Sequence, residues 1–284
     1  MVSVSHSVAA QSDFDQFLTV LSEGLSEVEK SSLKNAVEYA WEAYGNKTLG
    51  SGERIWSHAL GMSVIIAGLK MDAESRIAAM LFAIPAQDEH GIARIEERFG
   101  KPAAHLVGGI SRLNKLRPIT EGFVAANLEA GEVNPVEVKA QVEVLRKMLL
   151  AMVEDIRVVM LRLASRTQTL RFYAANPGDL RVQVARETLE LYSPLANRLG
   201  VWELKWELED LSFRFIHPDI YKKIAKMLDE KRSERENFIV DAVAKVRAEL
   251  AASGVDKAEV YGRPKHIYSI WNKMRKKSVE FSEV

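Results

Sequence analysis

The chain has no cysteine among its 284 residues. This absence excludes disulfide bonds and thiolate metal sites, so no disulfide partner is expected. A cysteine-free composition also fits a reducing compartment, and we predict a cytoplasmic protein.

Net charge and long apolar runs are missing as well. Lysine plus arginine and aspartate plus glutamate each number 39, so the formal net charge is zero. Without a global field to attract nucleic acid or a membrane surface, any anion site must be local. No segment approaches the roughly 20 apolar residues of a membrane helix. Residues 1–11 lack the basic start and apolar run of a secretory signal, so no membrane partner is expected.

Helical periodicity is what the chain does contain. Apolar residues make up 47% and charged residues 27%, as in an ordinary folded globular protein. Apolar positions recur at helical spacing from Ser57 to Lys70, and the charged segment from Pro218 to Leu250 is also helical in pattern. Pro85 is expected to break the helix that leads to Phe82, because proline lacks an amide donor. Only Lys257 to Tyr261 has the composition of a strand.

A cluster of cations lies where this predicted strand gives way to a helix. Arg263 and Lys265 stand on either side of a proline. Arginine offers a planar fork of donors and lysine a compact point charge, so the pair suits polyphosphate recognition. The alternative is a solvated basic helix end, which the run from Arg275 to Lys277 favours. Two residues here are equally consistent with an accessory hydrogen-bonding role and with a water-facing helix start: His266 and Ser269.

Three separated stretches resemble the RelA/SpoT homologue family. They are Phe99-Gly100 with Val107 to Leu113, Tyr192 to Gly200 with Lys205 to Leu211, and Tyr261 to Trp271. They are similar to the family's hydrolase half, its connector and the opening of its synthetase domain. Members of the family transfer pyrophosphate from ATP to the 3′-hydroxyl of GDP or GTP, forming (p)ppGpp. The resemblance therefore implies ATP and GTP or GDP as substrates, with three residues contacting the ATP phosphates: Arg263, Lys265 and Lys273.

The hydrolase half departs from the family pattern. Its HD-type metal site uses a lone His, a His-Asp pair, a following Glu-Asp pair and a distant Asp, and only the lone His is present, as His58. The other positions carry residues that cannot rebuild the site: Phe82, Ala83, Ala86, Gln87 and Ser165. A single His does not hold a divalent cation. We expect no bound metal and no hydrolase activity, as in the synthesis-only RelA branch.

A second departure concerns the synthetase half. In the family, a strand with a Mg²⁺-binding Asp follows the basic turn, and a catalytic Glu and a guanine-site motif come later. The chain reaches Val284 before that Asp. The resemblance thus implies no catalytic residue here, no synthesis by residues 1–284 alone, and Mg²⁺ only for the complete synthetase. Ribosome association is expected only of the full-length protein.

The predicted fold is mainly α and has four parts. N-terminal helices occupy residues 1–45, and an HD-like pseudo-hydrolase domain occupies residues 46–200. A helical connector spans 201–252. Residues 253–284 form the first strand and helix of a truncated α/β, nucleotidyltransferase-like synthetase domain. Such a lone strand and helix cannot bury a sheet face, so we expect this piece to be loosely held or docked on the connector.

Two other interpretations remain open. The chain could be a non-catalytic regulatory module that binds a partner or a nucleotide, or residues 263–277 could bind nucleic acid, although zero net charge argues against this. At single residues, His58 is more often a satisfied packing residue than a ligand. Arg54 is expected either to retain nucleotide binding in the old hydrolase pocket or to pair with Glu53 or another surface acid.

Overall fold

The computed structural model describes residues 17–115, 155–230, 232–255, 257–262 and 265–281. Its helices are α1 Glu27–Tyr44, α2 Ile55–Gly68, α3 Ala73–Leu81, α4 Ile84–Gln87, α5 Gly91–Lys115, α6 Ile156–Ala175, α7 Arg181–Glu187, α8 Ser193–Arg198, α9 Trp202–Ile216, α10 Pro218–Glu230, α11 Arg232–Ala252 and α12 Ile267–Lys277, with a π-helical turn Thr188–Tyr192 between α7 and α8. The prediction of a mainly α protein is confirmed. The chain divides into two compact units, Met1–Leu208 and Glu209–Val284.

Helix α1 begins and ends where its sequence specifies. The Ser26 hydroxyl accepts the Glu29 amide and the Glu29 carboxylate accepts the Ser26 amide, so two otherwise unpaired helix-start donors are satisfied. The helix stops at Gly45, whose φ of 49° is in the region that favours glycine. Its buried face carries Leu33, Val37 and Tyr44, which belong to the core of the first unit.

Helix α2 is the centre of that core. It is apolar on nearly all sides and packs against both α3 and α6. Helix α5 reaches α6 at a point of close approach, because a Cβ on Gly109 would lie 2.7 Å from a methyl group of Val158. As predicted, the chain breaks before Pro85: α3 ends at Leu81, and Pro85 lies in the first turn of α4.

A buried ion pair joins α6 to the end of α7. Arg166 donates to the Glu187 carboxylate at 2.7 Å, and both side chains are at most 4% exposed. The Arg166 guanidinium also lies 4.4 Å from the ring centroid of Tyr192, which ends the π-helical turn. Burial opposes the charge on Arg166, but Tyr192 and Glu187 outweigh it and raise the pKa of the guanidinium.

The second unit has a separate small core. Phe213 of α9, Ile224 of α10 and Ile270 of α12 are its buried members. Tyr268 and Trp271 pack around them, with the Trp271 ring centroid 4.7 Å from that of Phe213. Within this unit α12 is therefore docked on the connector helices. The sequence had left open whether this piece would be docked there or only loosely held.

The predicted strand at residues 257–261 is wrong. Residues 257–262 do not form a β-strand, and no strand lies beside them in the described ranges. A strand is stabilised by hydrogen bonds to a neighbouring strand. Here Arg247 of α11 donates to the Val260 carbonyl at 2.8 Å. The backbone at Gly262 lies so close to Ile239 and Val243 that a Cβ would meet the Ile239 side chain at 2.6 Å. The segment thus packs on a helix.

The described helices include none that is long and apolar enough to span a membrane. Three parts of the predictions lie outside the described residues: the portion of the N-terminal helices in residues 1–16, Arg263, and residues 282–284.

Candidate functional site

His58 lies on α2 at the centre of a closed polar network. Its Nδ1 is 2.7 Å from Glu53 Oε2, and its Nε2 is 2.9 Å from Ser165 Oγ. A carboxylate only accepts, so Nδ1–H donates to Glu53, and in the neutral imidazole Nε2 accepts the Ser165 hydroxyl. His58 and Glu53 are almost completely buried. Both ring nitrogens are therefore satisfied without an external ligand.

Gln168 completes the network from α6. Its Nε2 donates to the second carboxylate oxygen of Glu53 at 2.6 Å. Gly61 makes room for this side chain, because a Cβ at that position would lie 2.1 Å from Gln168 Oε1. Each oxygen of the buried Glu53 carboxylate consequently has a donor, as the cost of burying an unpaired charge requires.

The positions of the missing His-Asp pair lie at the helix break. Phe82 packs its ring on His58 with a centroid distance of 5.2 Å, and Ala83 is buried beside it. Tyr44 holds this break from both sides: its hydroxyl donates to the Met80 carbonyl at 2.8 Å and accepts the Ala83 amide at 3.2 Å. Burial raises the pKa of the Tyr44 phenol. The two remaining degenerate positions are exposed: Ala86 and Gln87.

These residues do not fit the divalent metal of an HD-type site. Phe82 and Ala83 carry no lone pair, and the nitrogens of His58 are already hydrogen-bonded. Across the described part of the chain, no three His, Asp or Glu side chains converge as a metal site.

Ser165, His58 and Glu53 have the hydrogen-bond order of a catalytic triad, but their surroundings favour packing. Acyl transfer needs donors beside the nucleophile that stabilise an oxyanion. Ser165 lies inside α6, where backbone amides are used by the helix itself. The serine is 8% exposed, and Phe82 stands against the imidazole.

Arg54 contacts the preceding turn. Its guanidinium donates to the Gly45 carbonyl at 3.2 Å and to Asn46 Oδ1 at 2.9 Å. The expected pairing of Arg54 with Glu53 or another surface acid is wrong, because both acceptors of its guanidinium are neutral oxygens. The Glu53 carboxylate is hydrogen-bonded to His58 and Gln168 instead. The Gly45 and Asn46 acceptors give Arg54 a structural role at the α1–α2 turn.

In the second unit, the structure brings Lys265 and Lys273 together. Lys265 precedes α12 and Lys273 lies at the end of its second turn. The adjacent amine of Lys265 lowers the pKa of Lys273, because two neighbouring ammonium groups resist both being charged. Such a like-charge pair on the surface is a local positive site in a chain of zero net charge. Arg263 lies outside the described residues.

The start of α12 is capped by a carboxylate from another helix. His266 is the N-cap residue, but its side chain makes no capping hydrogen bond. Instead, Asp210 Oδ1 of α9 accepts the Tyr268 amide at 2.9 Å, and Asp210 Oδ2 is 3.4 Å from His266 Nδ1. Ser269 is partly buried in the first turn.

Sequence reasoning missed several residues of these two sites: Glu53, Gln168, Tyr44 and Asp210. Glu53 and Gln168 are 115 residues apart, and Asp210 and Tyr268 are 58 apart. No local pattern links such pairs. Glu53 precedes His58 by five residues, and the sequence suggested it only as a partner of Arg54.

Comparison with known proteins agrees with this architecture. A family model described as "HD domain" matches residues 36–202, which is more than half of the chain. The chain belongs to the HD domain family. Within that family its relatives identify it as a RelA/SpoT homologue.

The relatives carry two kinds of name. A GTP pyrophosphokinase of Escherichia coli K12 is 45% identical over 78% of the chain and 28% of its own length. A GTP pyrophosphokinase of Haemophilus influenzae is 39% identical over 91% of the chain and 33% of its own length. A guanosine-3′,5′-bis(diphosphate) 3′-pyrophosphohydrolase of Aquifex aeolicus is 33% identical over 98% of the chain and 36% of its own length. The chain thus spans about a third of the length of these relatives.

Proposed function

We propose that the chain is part of a RelA-type GTP pyrophosphokinase, in which the basic pair Lys265 and Lys273 binds the phosphates of ATP. The observation that carries the proposal is the proximity of Lys265, just before α12, to Lys273 in its second turn, which lowers the pKa of Lys273. Two like charges repel, and a polyphosphate between them would relieve the repulsion. Relatives named GTP pyrophosphokinase support the same assignment.

In the proposed reaction, the 3′-hydroxyl of GTP or GDP loses its proton to water and its oxygen attacks the β-phosphorus of ATP. The bond from that phosphorus to the bridging α–β oxygen breaks, the pyrophosphoryl group is transferred, and AMP leaves. Lys265 and Lys273, together with Arg263, would hold the β- and γ-phosphates and neutralise their charge. Mg²⁺, when bound by the complete synthetase, would neutralise the same phosphates further.

We further propose that the HD half does not hydrolyse (p)ppGpp. The network of Glu53, His58 and Ser165 uses the imidazole as a packing group, and Phe82 occupies a ligand position. Relatives of both names align with the chain, so these substitutions are what favours the pyrophosphokinase over the pyrophosphohydrolase. A cytoplasmic location remains part of the proposal, and ribosome association remains a prediction for the full-length protein only.

Residues 1–284 are also proposed to be inactive in synthesis on their own. Transfer of this kind relies on a metal ion that neutralises the phosphates, and the proposal assigns no described residue to hold that ion. Thin-layer chromatography of labelled ATP with GTP is expected to yield no ppGpp or pppGpp; product formation by the purified chain would contradict this part.

ATP binding tests the central assignment. Calorimetry at low ionic strength should detect ATP binding by the chain, and Lys265→Ala or Lys273→Ala should weaken it at least about tenfold, since a hydrogen bond to a charged group contributes roughly 1.5–3 kcal/mol. Lys277→Ala is the matched control: it removes an exposed lysine from the end of the same helix and should change the affinity less than about twofold.

Two outcomes would overturn the proposal. ATP affinity could be unchanged in both variants of the pair, or all three lysine variants could lose affinity equally, which would indicate non-specific attraction. ATP binding abolished by Arg54→Ala and untouched by the lysine variants would instead favour the non-catalytic nucleotide-binding module.

A further inference from the structure

We propose that Asp210 is a positioning residue for the phosphate site, because its carboxylate fixes the start of α12 and thereby the arrangement of Lys265 and Lys273. This inference rests on the proposed function of that lysine pair. Asp210 lies on α9, in the same compact unit as the helix that it caps.

The contact geometry supports a cap. Asp210 Oδ1 accepts the amide of Tyr268, the second residue of α12, at 2.9 Å. The first amides of a helix have no partner within the helix, and an oxygen acceptor there stabilises the first turn. The side chain of His266 does not supply one, so Asp210 takes over this role from a neighbouring helix. Its side chain is only 21% exposed.

The cap and the lysine pair are linked through the first turns of α12. Lys265 lies just before the N-cap residue His266, so its direction depends on where the helix begins. Lys273 lies two turns further on, and side chains on a helix lean toward its N-terminus. The two amines meet only while the turn between them keeps its shape. Loss of the Tyr268–Asp210 bond would let that turn fray and separate them.

An opposite effect of the same carboxylate must be distinguished. Asp210 is negative and contacts the first turn of α12, so by charge alone it would repel a phosphate bound there. Positioning and repulsion predict opposite results for two substitutions. Asp210→Asn keeps an oxygen acceptor at the same reach and removes the charge. Asp210→Glu keeps the charge and moves the oxygens by one methylene, while remaining a good helix former.

The experiment measures ATP affinity by calorimetry for the unaltered chain and both variants, with amide hydrogen exchange of Tyr268 as the structural readout. If Asp210 positions the site, Asp210→Asn keeps the affinity within about twofold and keeps Tyr268 protected, whereas Asp210→Glu weakens ATP binding about tenfold and exposes the amide. Tighter binding by Asp210→Asn with unchanged binding by Asp210→Glu would overturn positioning in favour of repulsion. Unchanged affinity in both would also overturn it.

A double substitution separates this inference from the proposed function. In a Lys265→Ala, Lys273→Ala background, Asp210→Glu should have no further effect on ATP binding, because the groups that it positions are gone. If the lysine variants alone leave ATP binding intact, the proposed function fails. If they abolish it while Asp210→Glu does nothing, only the positioning role fails.

Discussion

His58 illustrates how a residue type associated with metal binding becomes part of a packed core. Its two ring nitrogens are hydrogen-bonded to the Glu53 carboxylate and the Ser165 hydroxyl. The other oxygen of the Glu53 carboxylate accepts a hydrogen bond from Gln168. A buried polar network stabilises a core only when each member is satisfied. The network is therefore best tested by a substitution at Gly61, the residue that makes space for it. Such a substitution leaves every hydrogen-bonding group of the network chemically intact.

Gly61→Ala is expected to destabilise the protein only when Gln168 is present. The new methyl group would displace Gln168 and break its bond to Glu53, which costs about 1–3 kcal/mol and exceeds the gain of up to about 1 kcal/mol from alanine in a helix. In a Gln168→Ala background the clash disappears, so the same substitution should stabilise by up to about 1 kcal/mol. Urea unfolding of the four proteins measures both values.

Gly68→Ala is the control for that cycle. Gly68 ends the same helix, and a Cβ there would meet nothing within 4 Å. Gly68→Ala should leave the free energy of unfolding unchanged or raise it, both with Gln168 and in the Gln168→Ala background. An effect of Gly61→Ala that is equal with and without Gln168 would show that the network does not depend on this close approach.

At the scale of elements, the ion pair between Arg166 on α6 and Glu187 at the end of α7 holds the region of the π-helical turn. Both partners are buried, and Tyr192 receives Arg166 on its ring. The Arg162 side chain reaches the same tyrosine, donating to its hydroxyl at 2.8 Å. Removing one buried charge would leave the other without its partner, which is more damaging than removing both.

Glu187→Gln should lower the free energy of unfolding by about 3 kcal/mol, because Arg166 stays buried and charged. The double substitution Arg166→Met with Glu187→Leu should cost less than this. Glu207→Gln is the matched control, since Glu207 pairs with Arg171 at side chains about one-third exposed and should cost no more than about 1 kcal/mol. If urea unfolding showed that Glu187→Gln and Glu207→Gln lower the free energy of unfolding equally, burial would not be what makes the Arg166–Glu187 pair important.

The segment before α12 shows why a sequence pattern can fail at this scale. Residues 257–261 have a strand-like composition, yet strand formation needs a neighbouring strand to pair with. Among the described residues, this segment packs against α11, and Arg247 of that helix donates a hydrogen bond to the Val260 carbonyl. Helices satisfy their own backbone, so their positions were predictable from periodicity and from breakers such as Pro85.

At the scale of the whole molecule, the mainly α fold and the family were accessible from sequence because motifs and periodicity are local signals. The contents of the two sites were only partly accessible. The substituted ligand positions at Phe82 and Ala83 could be read directly, whereas the bond from Ser165 to His58 spans 107 residues. The cap from Asp210 to α12 likewise depends on how helices pack. The division into residues 1–45, 46–200, 201–252 and 253–284 stays a prediction.

The most direct test of the account is competitive acetylation of lysines, with and without ATP, read by mass spectrometry. Lys265 lowers the pKa of Lys273, so at a pH below the usual lysine value more of the Lys273 amine is neutral and able to react than in an ordinary lysine. We predict that ATP slows the acetylation of Lys265 and Lys273 while leaving that of Lys277 unchanged. Equal protection of all three lysines, or of none, would contradict a phosphate site at the start of α12.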